Sequence, residues 1–494
     1  MKYPLAIFTL LLLSFALLQS AAAEKVPSDI PANKVVPSQK QLDYQSLEVV
    51  GFIHFNMNTF TDKEWGYGDE SPTLFDPKKL DCEQWVKAAK EGGFKELILT
   101  AKHHDGFCLW PSAYTEHSIK NSPYKNGKGD IVKEFTEACA KYGIKAGLYL
   151  SPWDRNHAGY GTPAYLTYYK NQLRELLTNY GKLTEVWFDG ANGGDGYYGG
   201  AKETRKIDKK NYYPWEEIRE IVYKLQPGAS IFSDAGPDIR WIGNERGIAG
   251  ETCWSMLDRS KVAVGDADQD YLNTGDIYGS SWVIGQCDVS IRKGWFFHTT
   301  DDETVKTPSQ LVDLYYRSVG RNAVFLLNLP PNRDGLFAEK DVASLKKFKE
   351  ILDKTFKENM VANAKVSASS QFDKDARFSP GNLTDNDANS YWAAASDKRQ
   401  ASLEMVIDST KKFDRILLQE PIRFGQRIAS FDIQLLLPGG WQTIASGTSI
   451  GFKRLLRITP IAGSKIRINI RDANNTPALS NFGLYKAAGG DVIL

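Results

Sequence analysis

Between about residue 46 and residue 330 the chain alternates between two hydrophobic periods, and this alternation limits its possible folds more than any other feature. Short apolar runs, read as strands, fall at Val49–Phe55, Glu96–Thr100, Lys145–Leu150, Glu185–Asp189, Ser230–Ser233 and Ala323–Asn328. Longer amphipathic stretches between them, read as helices, fall at Cys82–Glu91, Ile131–Tyr142, Pro163–Tyr180, Pro214–Leu225 and Pro308–Val319. In the third of these, Leu166, Tyr169, Leu173 and Leu177 recur at helical spacing. Pro163 and Pro214 stand where a first helical turn accepts proline. Strand–helix–strand repetition of this kind predicts a parallel sheet with helical crossovers. Such a sheet either closes into a (β/α)8-like barrel or stays open, as in flavodoxin-like folds. Polar motifs here end at least four separate strands, whereas an open sheet concentrates them at one switch point. The barrel is therefore the expected α/β fold. Residues 235–300 are poorly periodic, so loops are expected there in place of some barrel helices.

The flanks differ in character. Lys2, the apolar run Leu5 to Leu18 and Ala21-Ala22-Ala23 form the pattern of a cleaved secretory signal over residues 1–23, which predicts a secreted or periplasmic protein beginning near Glu24. An uncleaved anchor is the alternative, although the run is short for a bilayer. Residues 24–45, with three prolines and many polar residues, read as a loosely ordered leader. The barrel is expected over 24–340 and a connecting segment over 341–359, with Leu345, Phe348, Leu352 and Phe356 on one side of its helix at 341–357. From 360 to 494 helical periodicity gives way to strand alternation, as in Phe431–Leu435 and Ile466–Ile470, broken by turns such as Pro438-Gly439-Gly440. This predicts a C-terminal all-β sandwich. A net charge of +1 gives no reason to expect nucleic acid or a membrane surface as partner. Cys82, Cys108, Cys139, Cys253 and Cys287 are widely spaced and odd in number, which suits free buried thiols rather than a disulfide framework or a structural zinc site.

The chemistry concentrates at strand ends. Ile53-His54-Phe55, Lys102-His103-His104-Asp105-Gly106 and Val186-Trp187-Phe188-Asp189-Gly190 each leave polar side chains at the carboxyl end of a strand, where barrels of this class carry active sites. Asp189 is either a nucleophilic carboxylate at the barrel mouth or a cap of the next turn. Trp187 points the same way along a regular strand and either packs on a sugar ring or belongs to the core. His103, His104 and Asp105 could hold a metal, as in a metal-dependent hydrolase, or contact sugar hydroxyls. His54 could join them, and Glu64-Trp65 could flank the same pocket. A sugar-cleaving enzyme needs a second carboxylate, and Asp234, Asp238, Glu245 and Glu251 are the candidates. An acid among them needs a raised pKa to hold its proton near neutrality. Phosphate-loop, dinucleotide and serine-elbow motifs are absent.

At these residues the chain resembles the retaining α-L-fucosidases of glycoside hydrolase family 29. The resemblance covers roughly 46–335 and rests on IHF at 53–55, EW at 64–65, KHHDGF at 102–107, WFDG at 187–190 and LLNLPPNRDG at 326–335, in that order. It implies Asp189 as nucleophile, and His54, His103 and His104 on fucose hydroxyls with no metal or other cofactor. Glu64, Trp65 and Trp187 would belong to the same pocket. RWIGNE at 240–245 and GWFFH at 294–298 resemble the group restricted to α-1,3- and α-1,4-linked fucose. In this reading Glu245 is the acid/base, with Glu251 in reserve, and Trp295 lies at the fucose site. The partner implied is a fucosylated oligosaccharide or glycoprotein glycan. A non-catalytic fucosyl-glycan-binding protein is the rival expectation. The C-terminal segment resembles discoidin-like carbohydrate-binding modules through Asn382–Asp385 and Tyr391-Trp392, and is expected to bind sugar or to buttress the barrel; no calcium is assigned to it.

Overall fold

The structure, a computed structural model, describes residues 29–492. The proposed signal segment lies outside these residues. Eight parallel strands close into a barrel in chain order: β1 (Val49–Ile53), β2 (Glu96–Lys102), β3 (Lys145–Leu150), β4 (Glu185–Trp187), β5 (Ser230–Phe232), β6 (Ile239–Trp241), β7 (Ile284–Ser290) and β8 (Val324–Asn328). β8 pairs with β1, with Phe52 opposite Asn328. Helices cover five crossovers, Cys82–Glu91, Ile131–Tyr142, Pro163–Asn179, Trp215–Leu225 and Pro308–Arg317, and a further helix, Glu339–Thr355, follows β8. β5 runs into β6 through residues 233–238 alone, and between β6 and β7 the only α-helix among the described residues is Gln269–Thr274. These two gaps fall in the aperiodic stretch 235–300. β6 and β7 lie there too, and the sequence reading placed no strand at either.

The two-residue period of the strands builds the barrel interior in layers. Inward positions on β4 and its continuation are Glu185, Trp187 and Asp189; on β7 they are Ile284, Gln286 and Asp288; on β1 they are Val50, Phe52 and His54. The lower layer is closed from below by the helix Gln39–Gln45, so this part of the leader is ordered, contrary to expectation. Ser38 and Gln41 form a capping box at its start. Gln41 then donates to the Trp282 carbonyl at 2.7 Å and Gln45 to that of Asn322 at 3.0 Å, while Tyr44 inserts beside Gln286. The middle layer is aromatic: Trp187 stacks on Phe232 with centroids 3.9 Å apart, and Tyr149 and Phe52 close around it. Only the top layer is polar and open.

The helix Glu339–Thr355 packs against the barrel helices Cys82–Glu91 and Pro308–Arg317 through buried Leu345 and Phe348, and its following Phe356 meets Tyr485 of the C-terminal domain. That domain has a five-stranded antiparallel sheet in the order Val366–Ala368, Ala401–Val406, Lys465–Ala473, Ile428–Leu437, Gly440–Gly447. Facing it is a three-stranded sheet of Arg454–Ile461, Phe413–Gln419 and Asn481–Tyr485. Alternate residues such as Leu403, Ile416, Ile433, Ile468 and Phe482 fill the space between them. Polar contacts dock it to the barrel: Cys253 N–H donates to Ser449 at 2.8 Å, and Arg457 pairs with Asp313 at 2.6 Å over the Tyr316 ring. All five cysteines are free and buried. Among the described residues no helix is long and apolar enough to cross a membrane.

Candidate active site

The barrel's carboxyl mouth holds a cavity of about 220 Å³. Its lining comes from most of the strand ends and includes His54, Trp65, His103, His104, Trp187, Asp189, Asp234, Trp241, Glu245, Asp288 and Trp295. The side-chain period explains the assembly. Several strands that end at the mouth offer an inward polar residue beyond the aromatic layer, such as His54, Asp189, Asp234 and Asp288.

Asp189 follows β4 where Gly190 lets the chain pass close to Asp234. A methyl group at position 190 would overlap the Asp234 carboxyl. One Asp189 oxygen accepts the Ala191 N–H at 2.7 Å and the other accepts the Tyr149 hydroxyl at 3.0 Å. The His104 Nε2 stands 4.0 Å from that second oxygen. Glu245 sits at the solvent-facing rim, where its Oε2 accepts the Trp295 Nε1–H at 3.2 Å. Desolvation raises its pKa above the ordinary value, and the charges of Asp189 and Glu64 add to this, while the indole N–H opposes it. Two further carboxyls share the cavity. Burial, opposed by the Gly265 N–H and aided by Asp189, lifts Asp234 to about 7. Burial also pushes Asp288 well above the carboxylate range, with Glu245 adding to it.

All three histidines are buried and held neutral by desolvation, with His54 pushed down to about 3. Nδ1 of His54 lies 2.8 Å from the Asn328 carboxamide oxygen. That oxygen only accepts, because the Asn328 amide donates to Ser290 and to the Trp295 carbonyl. The His54 proton therefore sits on Nδ1. Ser151 similarly fixes His104: its hydroxyl donates to the Trp153 carbonyl and so accepts from His104 Nδ1 at 2.8 Å. Each ring thus keeps an Nε2 lone pair for a hydroxyl donor. Adjacent His103 and His104 both reach the cavity because the chain turns after β2. Gly106 N–H closes the turn on the His103 carbonyl at 3.0 Å, and Gly106 takes a φ of +85°.

Several expected residues lie elsewhere. Asp105 turns away from the cavity and accepts from Asn56 at 2.8 Å and from the Phe107 N–H, so it does not join the histidines as a metal ligand. Among the described residues no cluster of three or more His, Cys, Asp or Glu is arranged to hold a metal ion. Glu64 is outside the lining; it accepts the Trp295 N–H at 2.7 Å and pairs with His298 at 2.6 Å, which fixes the loop that presents Trp295. Glu251 faces the C-terminal domain, paired with Arg321 and with Arg454 at 2.8 Å, and is no candidate for the second carboxylate. Asp238 immediately precedes β6 at the opposite end of the barrel, bound to Lys40 at 2.7 Å. Of the four candidates, only Glu245 and Asp234 line the cavity. Asp288, Phe52 and Tyr149 were not singled out from sequence. Asp288 had a usable signal, since in Ile284–Ser290 it stands at a parity-matched inward position.

Comparison with known proteins agrees with this architecture. A family model described as alpha-L-fucosidase matches residues 36–355, and one described as F5/8 type C domain matches 365–482. The chain is 44% identical to Alpha-L-fucosidase 1 of Arabidopsis thaliana over 91% of its own length and 87% of that protein. It resembles the structure of a putative alpha-L-fucosidase from Bacteroides thetaiotaomicron at 37% identity with a TM-score of 0.86, covering 94% of this chain and 100% of that one. A Ruminococcus gnavus GH29 fucosidase solved in complex with fucose matches at 33% identity with a TM-score of 0.83, over 94% and 98% of the two chains.

Proposed function

The chain belongs to the α-L-fucosidases of glycoside hydrolase family 29, with a discoidin-like F5/8 type C domain after the barrel, and from this premise we propose an exo-acting, retaining mechanism for its fucosidase activity. Asp189 attacks the anomeric carbon of a terminal fucose while Glu245 protonates the departing glycosidic oxygen. The C–O bond to the aglycone breaks and a fucosyl ester forms on Asp189. Water, deprotonated by Glu245, then attacks the same carbon, frees fucose and restores the carboxylate. His54 and His104 accept hydrogen bonds from fucose hydroxyls through Nε2, His103, whose Nδ1 faces the Asn58 amide, offers its Nε2–H as a donor, and Trp65, Trp187 and Trp295 give the sugar apolar walls. Glu64 acts through the loop it holds.

The observation that carries this reading is the pairing within one cavity of a carboxylate oriented by two donors and a second carboxyl whose pKa is raised. Asp189 is oriented by the Tyr149 hydroxyl and the Ala191 N–H, and Glu245 is pushed toward its protonated form by desolvation. The cavity is small beside the roughly 300–1,000 Å³ of clefts for drug-sized ligands, which suits one terminal sugar. Fucose bound to the Ruminococcus gnavus relative supports the same ligand here. The RWIGNE and GWFFH segments support α-1,3- and α-1,4-linked fucose as the substrate. The domain division we propose is 24–340, 341–359 and 360–494. Asp189→Ala tests the mechanism: turnover of a fucosylated trisaccharide falls by about 10⁴-fold or more, and azide restores release of the aglycone by replacing the nucleophile. Wild-type-like activity in that variant would remove Asp189 from the role.

A further inference from the structure

We propose that Asp288 is a positioning residue for Glu245, fastening both ends of the segment that carries it. This rests on the acid role given to Glu245 above.

Trp241 ends β6 and Gly247 lies six residues on, with Glu245 between them. At the first end, the Trp241 Nε1–H donates to the Asp288 carboxyl at 3.0 Å. At the second, the Gly247 N–H donates to the Asp288 backbone carbonyl at 3.1 Å. One residue of the neighbouring strand therefore holds both ends of the excursion. Within it, Ile242 N–H donates to the Gln286 carbonyl, and the Asn273 amide donates to the carbonyls of Ile242 and Ile248. Below it, Arg240 is buried and donates to the Leu272 and Trp254 carbonyls. The base of the loop is rigid, whereas the Glu245 side chain at its crest is exposed and keeps one side-chain partner, Trp295. Small shifts of the loop thus move the Glu245 carboxyl directly.

The Asp288 side chain is 5% exposed, lines the cavity and faces two other carboxyls. Burial in that setting favours its neutral form, so its contribution to the loop is a hydrogen-bonding shape rather than a charge. An asparagine reproduces that shape, with an oxygen to accept from Trp241 and a donor in place of the acid proton. Alanine removes the upper fastening and leaves the backbone one.

The test separates protonation of the leaving group from every other step. 2-Chloro-4-nitrophenyl α-L-fucoside has a leaving group that departs with little protonation, whereas a fucosylated trisaccharide requires the acid. Asp288→Ala is expected to lower kcat on the trisaccharide by about 10²-fold, the usual size of an effect from ångström-scale misplacement of a catalytic group, and to lower kcat on the aryl fucoside at least tenfold less. Asp288→Asn should recover most of the trisaccharide loss. Trp241→Phe, which keeps the ring and removes only the donor, should reproduce the leaving-group split and covers the case in which Asp288→Ala fails to fold. Equal losses on both substrates, or an Asn variant as poor as the Ala variant, would overturn the proposal. Wild-type enzyme inert on the trisaccharide would instead refute the functional reading beneath it.

Discussion

Replacing Trp295 by phenylalanine isolates one contribution to the acidity of Glu245. The ring packing against His54 (centroids 5.1 Å apart) survives, as does the backbone N–H that Glu64 accepts. What disappears is the Nε1–H that reaches Glu245 Oε2 at 3.2 Å, a bond that favours the charged carboxylate and opposes the rise due to desolvation. A hydrogen bond to a charged group is worth about 1.5–3 kcal/mol when water is excluded. At this open rim, competition from water leaves roughly a third to a half of that. At about 1.36 kcal/mol per pKa unit, the Glu245 pKa should rise by about 0.5–1 unit. The acid must hold its proton in the free enzyme, so the alkaline limb of kcat/KM reports this group. That limb should move to higher pH by the same amount in Trp295→Phe, and the acidic limb should stay in place because Trp295 does not touch Asp189. An alkaline limb that stays still or moves down would refute the reasoning, since a lost donor to a carboxylate cannot lower its pKa.

Two other perturbations test the scaffold around the site. Gly190→Ala should keep the fold but lower kcat/KM by roughly 10–100-fold, because the new methyl displaces the Asp234 carboxyl from the Gly265 N–H and shifts the neighbouring Asp189; activity within twofold of wild type would show that Asp234 yields freely. Glu96, buried at the lower end of the barrel, has its pKa raised by desolvation from 4.5 to about 7. The folded protein therefore takes up a proton between those values, and this group's contribution to stability falls as pH rises through that window. Glu96→Gln keeps the acceptor for Thr184 and should stabilise the protein by about 1–3 kcal/mol at pH 8, with little gain at pH 4.5; urea melts at the two pH values decide it, and an equal gain at both would point to packing instead.

How legible the site was depends on how each residue reached it. Asp189, His54 and the His103-His104 pair end strands with clear apolar runs, so a parity argument on the sequence reaches them. Asp288 obeys the same parity on β7, but that strand lies in a stretch where loops replace helices, and without helices on both sides its period is lost. Glu64 was placed near the pocket by its motif, but adjacency in sequence does not reveal its partners, the Trp295 N–H and the His298 ring, which lie more than 200 residues away. Glu251 and Asp238 were equally plausible as acids on residue type alone. Their locations, one at the domain interface and one at the far end of the barrel, follow from contacts with Arg454 and Lys40 that lie 203 and 198 residues away in sequence.

The amino-acid order alone determined the alternation of strand and helix outside residues 235–300, the polar residues that follow β1, β2 and β4, and the shift to an all-β domain near residue 360. These are local properties, set by side-chain period and by glycine and proline placement within a few residues. Barrel closure was decided only when β8 paired with β1, and with it which carboxyls meet across the mouth. That choice depends on the pairing and shear of eight distant strands and on the aromatic layer beneath them, so no single segment contains it. The protonation of Glu245, Asp234 and Asp288 belongs to the tertiary structure as well, because desolvation and neighbouring charge exist only once the barrel has brought these groups together.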